Sequence, residues 1–412
     1  MTSPRQFRCW TEIDLAALDN NAHYIRQALP QTVRYIAVVK ADAYGHGLLQ
    51  TVESLIHRGV DLLAVATVDE AIAIRNNGCQ LPLLLLAPVL PEETPLLSTY
   101  ALTPTLSTET ELERYEALVC QKRQPLSVHL KIDTGMGRIG VWHTETAALY
   151  QRIQRSPYVH LEGIFTHFSS MAVDPDYTRL QLENFHKALA TLPGWDAKPL
   201  LIHTNSIDIE TFDAASCFNA VRVGLLQFGV APHPHPVSGR RTNPVLSLHS
   251  RVGLVKTLPA GTSISYNHTH TLKRPSHIAV LTAGYSDGIP THLSNKGHVL
   301  IQGHRCPIIG RVTMDQTLVD VTDLAALDHM EITGEHATFI GAQGGDRITA
   351  TEFSAWADEI PWEVLCVISR KVPRIYHPSN TTNVVFDEPT HFIVPESRLN
   401  REQVLGSAPA AR

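Results

Sequence analysis

The sequence predicts an α/β fold: an N-terminal (β/α)8 TIM-like barrel followed by a C-terminal, mostly-β domain. Three observations predict it. Short β-branched or Leu-rich runs alternate with amphipathic, Ala/Glu/Arg-rich stretches through the first half of the chain. The runs are continuously apolar rather than alternating, which implies burial on both faces as in a parallel sheet. Near Asn243 the alternation stops and closely spaced strand-like runs take over.

Eight runs make up the first half: residues 33–41 (VRYIAVVKA), 61–67 (DLLAVAT), 82–88 (PLLLLAP), 102–107 (LTPTLS), 126–133 (LSVHLKID), 159–168 (VHLEGIFTHF), 199–205 (PLLIHTN) and 220–228 (AVRVGLLQF). Helical stretches separate most of them, such as 109–120 and 177–192. Eight such units in roughly 250 residues point to a barrel. Residues 231–244 (APHPHPVSGRRTNP) are rich in Pro, Gly and basic residues and read as a linker. Strand-like runs follow at 247–258, 277–284, 298–303, 306–312, 318–322 and 337–342, with one helix at 349–360. The expected division is a barrel over 12–243, a β-rich domain over 244–378 joined by residues 1–11, and a tail over 379–412 that is polar and without periodicity.

Composition narrows the function. The 412 residues are 43% hydrophobic and 18% charged, and the net charge of −6 is spread along the chain. The absence of a long basic run argues against nucleic acid as a partner. No apolar run reaches the ~20 residues that span a bilayer, and the N-terminus lacks the apolar core of a signal peptide. Six scattered cysteines without a C-x-x-C fit a reducing cytoplasm. The H-x-H pairs His233/His235 and His268/His270 lack a clear carboxylate or Cys partner, so no metal is expected.

Lys40 ends the first run and shares a strand face with Ile36 and Val38. A lysine at the C-terminal end of a barrel strand projects to the mouth where barrel active sites lie. Desolvation depresses a lysine's pKa and suits it to Schiff-base chemistry. The segment around it, AVVKADAYGHG (37–47), resembles the cofactor-lysine motif of the alanine racemases, and the resemblance runs from about Trp10 to Tyr376.

The resemblance implies a pyridoxal 5'-phosphate (PLP) enzyme that interconverts L- and D-alanine and supplies D-alanine for peptidoglycan. It implies that Lys40 holds the cofactor and that Tyr44 contacts its phosphate, together with Ser206 and the backbone of Gly224 and Leu225. Arg222 takes the place of the arginine set against the pyridine nitrogen. A guanidinium cannot accept a proton, so that nitrogen stays unprotonated, the cofactor withdraws electrons more weakly, and side reactions such as transamination are limited. His167, in THFSS, is expected beside the ring, linking Arg222 to a catalytic tyrosine. Inversion needs proton exchange on both faces of a planar carbanion, hence two bases. Lys40 is the first, and Tyr266, in ISYNHT, matches the second. A phenol is a weak acid, so a nearby cation must favour its ionised form. In the family this tyrosine comes from the other subunit, which implies a homodimer with composite sites.

Arg138, in KIDTGMGRIG (131–140), matches the arginine at the substrate carboxylate, with Lys131 the candidate for carbamylation. The same stretch satisfies G-x-G-x-x-G, but it sits fifth in a barrel rather than first in an open sheet. Met314 and Asp315 correspond to residues at the neighbouring subunit's edge of the pocket, and Tyr285 to one that narrows the access for a small amino acid. The chain departs from the family pattern at Thr204, Asn267, Thr291-His292, Thr313 and Arg370. Other readings are a serine or broad-specificity racemase, a non-catalytic PLP-carrier protein, and a PLP decarboxylase. The carrier would lack the second domain and the Tyr266 loop. The decarboxylase would place an acid where Arg222 stands.

Overall fold

The eight apolar runs form eight parallel strands whose first and last members meet. In the computed structural model, residues 7–122, 125–171, 173–206, 218–230, 242–324 and 332–378 are described. Residues 231–241 of the expected linker, with the His233/His235 pair, Cys217 and the tail (379–412), lie outside them. The chain enters through β1 (Cys9–Asp14). It continues through β2 (Arg34–Val38), β3 (Leu62–Val65), β4 (Leu83–Leu85), β5 (Thr103–Leu106), β6 (Leu126–Asp133), the two-residue β7 (Val141–Trp142), β8 (Val159–Phe165), β9 (Leu201–Ser206) and β10 (Ala220–Val223).

The barrel order is β2-β3-β4-β5-β6-β8-β9-β10, and β10 pairs with β2 in parallel, Arg222 opposite Ile36, to close the ring. Every residue of β3, β4 and β5 is buried, as a strand covered by helices outside and by its neighbours' side chains inside must be. The helices that cover it start where the sequence supplies caps. Asp14 accepts the N–H of Ala17, Thr67 that of Glu70 and Asp174 that of Tyr177. The eighth run is shorter than its apolar character suggests, because at Gly224 the strand gives way to a 3-10 turn over Leu225–Phe228.

The second sheet is built on β11 (Leu246–Leu258), 13 residues long. After it come the short pair β12 (Ser263–Ile264) and β13 (His270–Thr271), then β14 (Ser276–Leu281), β15 (His298–Ile301), β16 (His304–Pro307), β17 (Thr317–Asp320), β18 (His336–Gln343), β19 (Asp346–Ile348) and β20 (Arg374–His377). Its order is β16-β15-β18-β11-β1-β20, with β14 also on β11 and β17 on β14. The N-terminal strand therefore lies inside this sheet, between β11 and β20. The expected run at 306–312 is a strand only as far as Pro307, and Gly310 (φ +69°) turns the chain away beneath the β12–β13 pair. A short helix, Pro361–Cys366, comes back over the barrel mouth. No helix among the described residues is long and apolar enough to cross a membrane.

Candidate active site

Lys40 follows β2 and opens an unusual turn. Ala41, Asp42, Ala43 and Tyr44 all have left-handed backbones, with φ of 55°, 54°, 52° and 54°. For residues that carry a Cβ this costs roughly 1–2 kcal/mol each, so the surroundings must hold them. Backbone bonds run from Ala43 to Val39, Gly45 to Ala41 and Gly47 to Asp42, each 3.0 Å. The Asp42 carboxylate accepts the N–H of Leu48 at 2.8 Å. His46 Nδ1 donates to the carbonyls of Ala43 (2.9 Å) and Tyr44 (3.0 Å), and its ring stacks on Phe228 at 4.2 Å. The Glu70 carboxylate accepts the N–H of Ala41 at 2.6 Å. A Cβ at Gly45 would lie 2.3 Å from the carbonyl oxygen of Leu365, so the helix Pro361–Cys366 rests directly on the turn.

Arg222, in β10, is buried and all its hydrogen-bond partners are neutral. It donates to the Thr166 carbonyl (2.7 Å), the His203 carbonyl (3.4 Å), His203 Nδ1 (2.6 Å) and His167 Nδ1 (3.3 Å). A guanidinium only donates, so both Nδ1 atoms are unprotonated. His203 then carries its proton on Nε2 and donates it to His129 Nδ1 at 2.8 Å. This buried chain of two neutral imidazoles fixes the guanidinium from below, while the Phe165 ring lies 4.7 Å from its central carbon. Burial and the Arg138 charge hold the Arg222 pKa down at about 9.

Four cations converge here. Burial, then Arg138 and Arg222, lower the Lys40 pKa. Burial, Arg222 and Arg138 bring Lys131 down to about 7. Tyr44 closes one side. Its buried hydroxyl stands 2.8 Å from where a Cβ on Gly224 would be, so only a glycine fits beneath it. Ser206 ends β9 directly opposite Val223, and Leu225 begins the turn after Gly224. Lys40, Tyr44, His167, Arg222, Gly224 and Leu225 are thus collected at the C-terminal ends of the barrel strands, with Arg138 on the loop after β6. Asp133 shapes that loop by accepting the N–H groups of Gly135, Met136 and Gly137.

The remaining sequence-predicted residues form a second group. Tyr266 sits on the turn between β12 and β13 and is 67% exposed, while Met314 is 55% and Tyr285 45% exposed. The backbone of Tyr285 and Ser286 bonds to the carbonyls of Thr313 (3.0 Å) and Met314 (2.9 Å). Ser286 Oγ donates to Asp315 at 2.9 Å. Ser265 Oγ donates to the Arg311 carbonyl at 2.7 Å, tying the Tyr266 turn to the same segment. Among the described residues no hydrogen bond or ring contact joins Tyr266 to Lys40, His167 or Arg222 of its own chain. Arg370 is exposed and its charge acts on Asp42.

Sequence reasoning missed Glu70, Asp133 and the pairing of His129 with His203. The signals were present: Thr67-x-x-Glu70 is a capping box, and His129, Lys131 and Asp133 are spaced by two on one strand.

The buried imidazoles also set a pH dependence of stability. Burial lowers the pKa of His46 to about 4 and that of His129 to about 3, and holds His203 well below its ordinary value. A histidine whose folded pKa is depressed gives its full stabilisation above the unfolded value of ~6.5 and loses it as pH falls below that. By about pH 5 each such ring costs roughly 2 kcal/mol. Thermal melts are therefore expected to shift to markedly lower temperature between about pH 7.5 and pH 5, and a flat profile would contradict these neutral rings.

Comparison with known proteins agrees with this architecture. Residues 13–232 match the family model described as alanine racemase, N-terminal domain, and residues 245–376 match alanine racemase, C-terminal domain. The alanine racemase of Symbiobacterium thermophilum is 41% identical over 373 residues, covering 89% of this chain and 96% of that protein. That of Halothermothrix orenii is 37% identical over 369 residues, covering 89% and 96%. Among solved structures, alanine racemase from Bacillus anthracis with bound L-Ala-P superposes with a TM-score of 0.83 at 32% identity, covering 93% of this chain and 99% of that one. Alanine racemase from Bartonella henselae with covalently bound pyridoxal phosphate gives 0.79 at 27% identity, covering 90% and 100%. A closed barrel with a lysine at its mouth, the β-rich half that follows it, and two family models spanning both halves lead to one conclusion: the chain belongs to the alanine racemase family.

Proposed function

We propose that this chain is a PLP-dependent racemase that interconverts L- and D-alanine, acting as a homodimer with composite sites. The observation that carries the reading is a buried Arg222 whose hydrogen-bond partners among the described residues are all neutral, with the cations Lys40, Lys131 and Arg138 close by. Such a cluster of cations favours an anionic ligand, and the Tyr44 hydroxyl beside Gly224, with the backbone at the start of the turn Leu225–Phe228, would receive a phosphate. Lys40 Nζ would hold the cofactor covalently. Tyr44, Ser206 and the backbone of Gly224 and Leu225 would hold its phosphate, Arg222 its pyridine nitrogen, and His167 would stand beside the ring. When bound, PLP supplies an electron-withdrawing system conjugated to the substrate nitrogen, which acidifies the α-C–H.

The chain's own residues do the rest. Lys40, its pKa lowered, has a neutral amine available to take the α-proton on one face. The partner subunit's Tyr266 would serve the other face: Tyr266 is 67% exposed, and among the described residues no hydrogen bond or ring contact joins it to Lys40, His167 or Arg222 of its own chain. Arg138 would hold the substrate carboxylate with the Met314 backbone near it, Met314 and Asp315 standing at the neighbouring subunit's edge of the pocket, and Tyr285 would narrow the mouth to a small side chain. We divide the chain into a barrel over 12–243 and a β-rich domain over 244–378. We place it in the cytoplasm, where its thiols stay reduced and D-alanine is made for peptidoglycan; the described cysteines Cys9, Cys79, Cys120, Cys306 and Cys366 are free.

The test is chiral analysis of alanine after incubation of the PLP-loaded protein with each enantiomer separately, with serine in parallel. Convergence of both alanine reactions on an equimolar mixture is expected, with serine slower. Unchanged alanine from loaded protein would overturn the reading.

A further inference from the structure

The Glu70 carboxylate is shared by two loops. Oε1 accepts the N–H of Ala41 (2.6 Å) and of Asp42 (3.3 Å), the two residues after Lys40. Oε2 accepts the N–H of Ala66 (3.0 Å) and of Thr67 (3.2 Å), where the chain leaves β3. A capping box requires only that the glutamate reach back to the N–H of the capping residue, here Thr67. The second oxygen is given instead to a different loop. The successive left-handed residues after Lys40 aim adjacent N–H groups the same way, a concave seat for an anion, and the Glu70 carboxylate is that anion.

From this we infer that Glu70 is a positioning residue for Lys40: by bridging the exits of β2 and β3 it holds the left-handed turn, and with it the direction in which Lys40 moves its proton. The inference rests on the reading of Lys40 as one of two bases. Without the carboxylate, the Ala41 and Asp42 N–H groups lose their acceptor, and the turn relaxes away from a conformation that residues with a Cβ disfavour. The Tyr266 turn makes no bond to Glu70, so the defect should be confined to one face of the substrate.

The experiment follows α-proton exchange and inversion separately, with L- and D-alanine in D2O, for PLP-loaded wild type, Glu70→Gln, Glu70→Asp and Thr67→Ala. The Gln side chain has one oxygen and so accepts from one loop only, and Asp is too short to reach both. Thr67→Ala removes the hydroxyl that accepts the Glu70 N–H at 3.3 Å and keeps the carboxylate. In both Glu70 variants inversion is expected to fall ~10- to 100-fold with KM little changed. For the enantiomer served by Tyr266, exchange with retention should persist; for the other, exchange and inversion should fall together. The acid limb of the pH profile should move to lower pH, since loss of a nearby anion favours the neutral amine. Thr67→Ala should keep the wild-type ratio and pH limb.

Full activity in Glu70→Gln would overturn the inference. So would exchange and inversion falling in step for both enantiomers, or Thr67→Ala reproducing the Glu70 phenotype, since either outcome reduces Glu70 to a helix cap. If Glu70→Gln does not fold, Glu70→Asp carries the same readout. A wild type that neither exchanges nor inverts alanine would instead overturn the alanine reading itself.

Discussion

Replacing Lys40 with Ala is expected to abolish racemisation, by ~10⁴-fold or more, the upper end of what a positioned acid–base group contributes. Two roles end together: covalent attachment of the cofactor and proton exchange at one face. After gel filtration the variant should lack the visible absorbance of covalently held PLP. Lys40→Arg sharpens the argument. It keeps the positive charge, but a guanidinium is not deprotonated in a protein and neither forms the covalent link nor accepts a proton. It should be as inactive as Lys40→Ala. Stability should move the other way. Lys40 is a partly buried cation whose pKa is lowered by burial and by Arg138 and Arg222, so removing it relieves repulsion, and with both proteins freed of cofactor, whose binding would itself stabilise wild type, the Ala variant should melt no lower than wild type. Substantial turnover in Lys40→Arg would end the assignment.

The second large effect is at Tyr266. Loss of its hydroxyl in Tyr266→Phe should cut racemisation by ~10²–10⁴-fold, with cofactor absorbance intact. The side chain is 67% exposed and makes no hydrogen bond among the described residues, so stability should change by no more than ~0.5 kcal/mol. A functional collapse with no stability cost is the signature of a residue exposed in order to act elsewhere. In D2O the variant should still exchange the α-proton of the enantiomer served by Lys40 while inverting neither. Retained racemisation would remove Tyr266 from the chemistry.

The barrel was legible because its strands are unbroken apolar runs, which in a chain of this length are buried only in a parallel sheet with helices outside. Lys40 was legible for a related reason, because it directly follows a strand end; Tyr44, Arg222, Gly224 and Leu225 came from the resemblance of their segments to the alanine racemases, and the structure sets them near strand ends as well. Met314, Asp315 and Tyr285 were found as motifs, and the structure gathers them on the β-rich half, held by the backbone bonds of Tyr285 and Ser286. What escaped is non-local or contrary to propensity. Nothing in Ala41-Asp42-Ala43-Tyr44 advertises a left-handed turn, and part of what holds it, the Glu70 carboxylate, lies 29 positions along the chain from Ala41. The support of Arg222 by His203 and His129 depends on three strands meeting inside the ring, and spacing on one strand does not disclose which face of another it will meet.

The central claim is that one working site takes Lys40 from one chain and Tyr266 from another, and mixing two inactive variants tests it most directly. Lys40→Ala and Tyr266→Phe, each inactive alone, are combined and allowed to exchange subunits. Half of randomly assorted dimers are mixed, and each mixed dimer holds one intact site, so activity should rise to about a quarter of wild type. A mixture that stays silent after subunit exchange is verified would contradict the account and place both bases within a single chain.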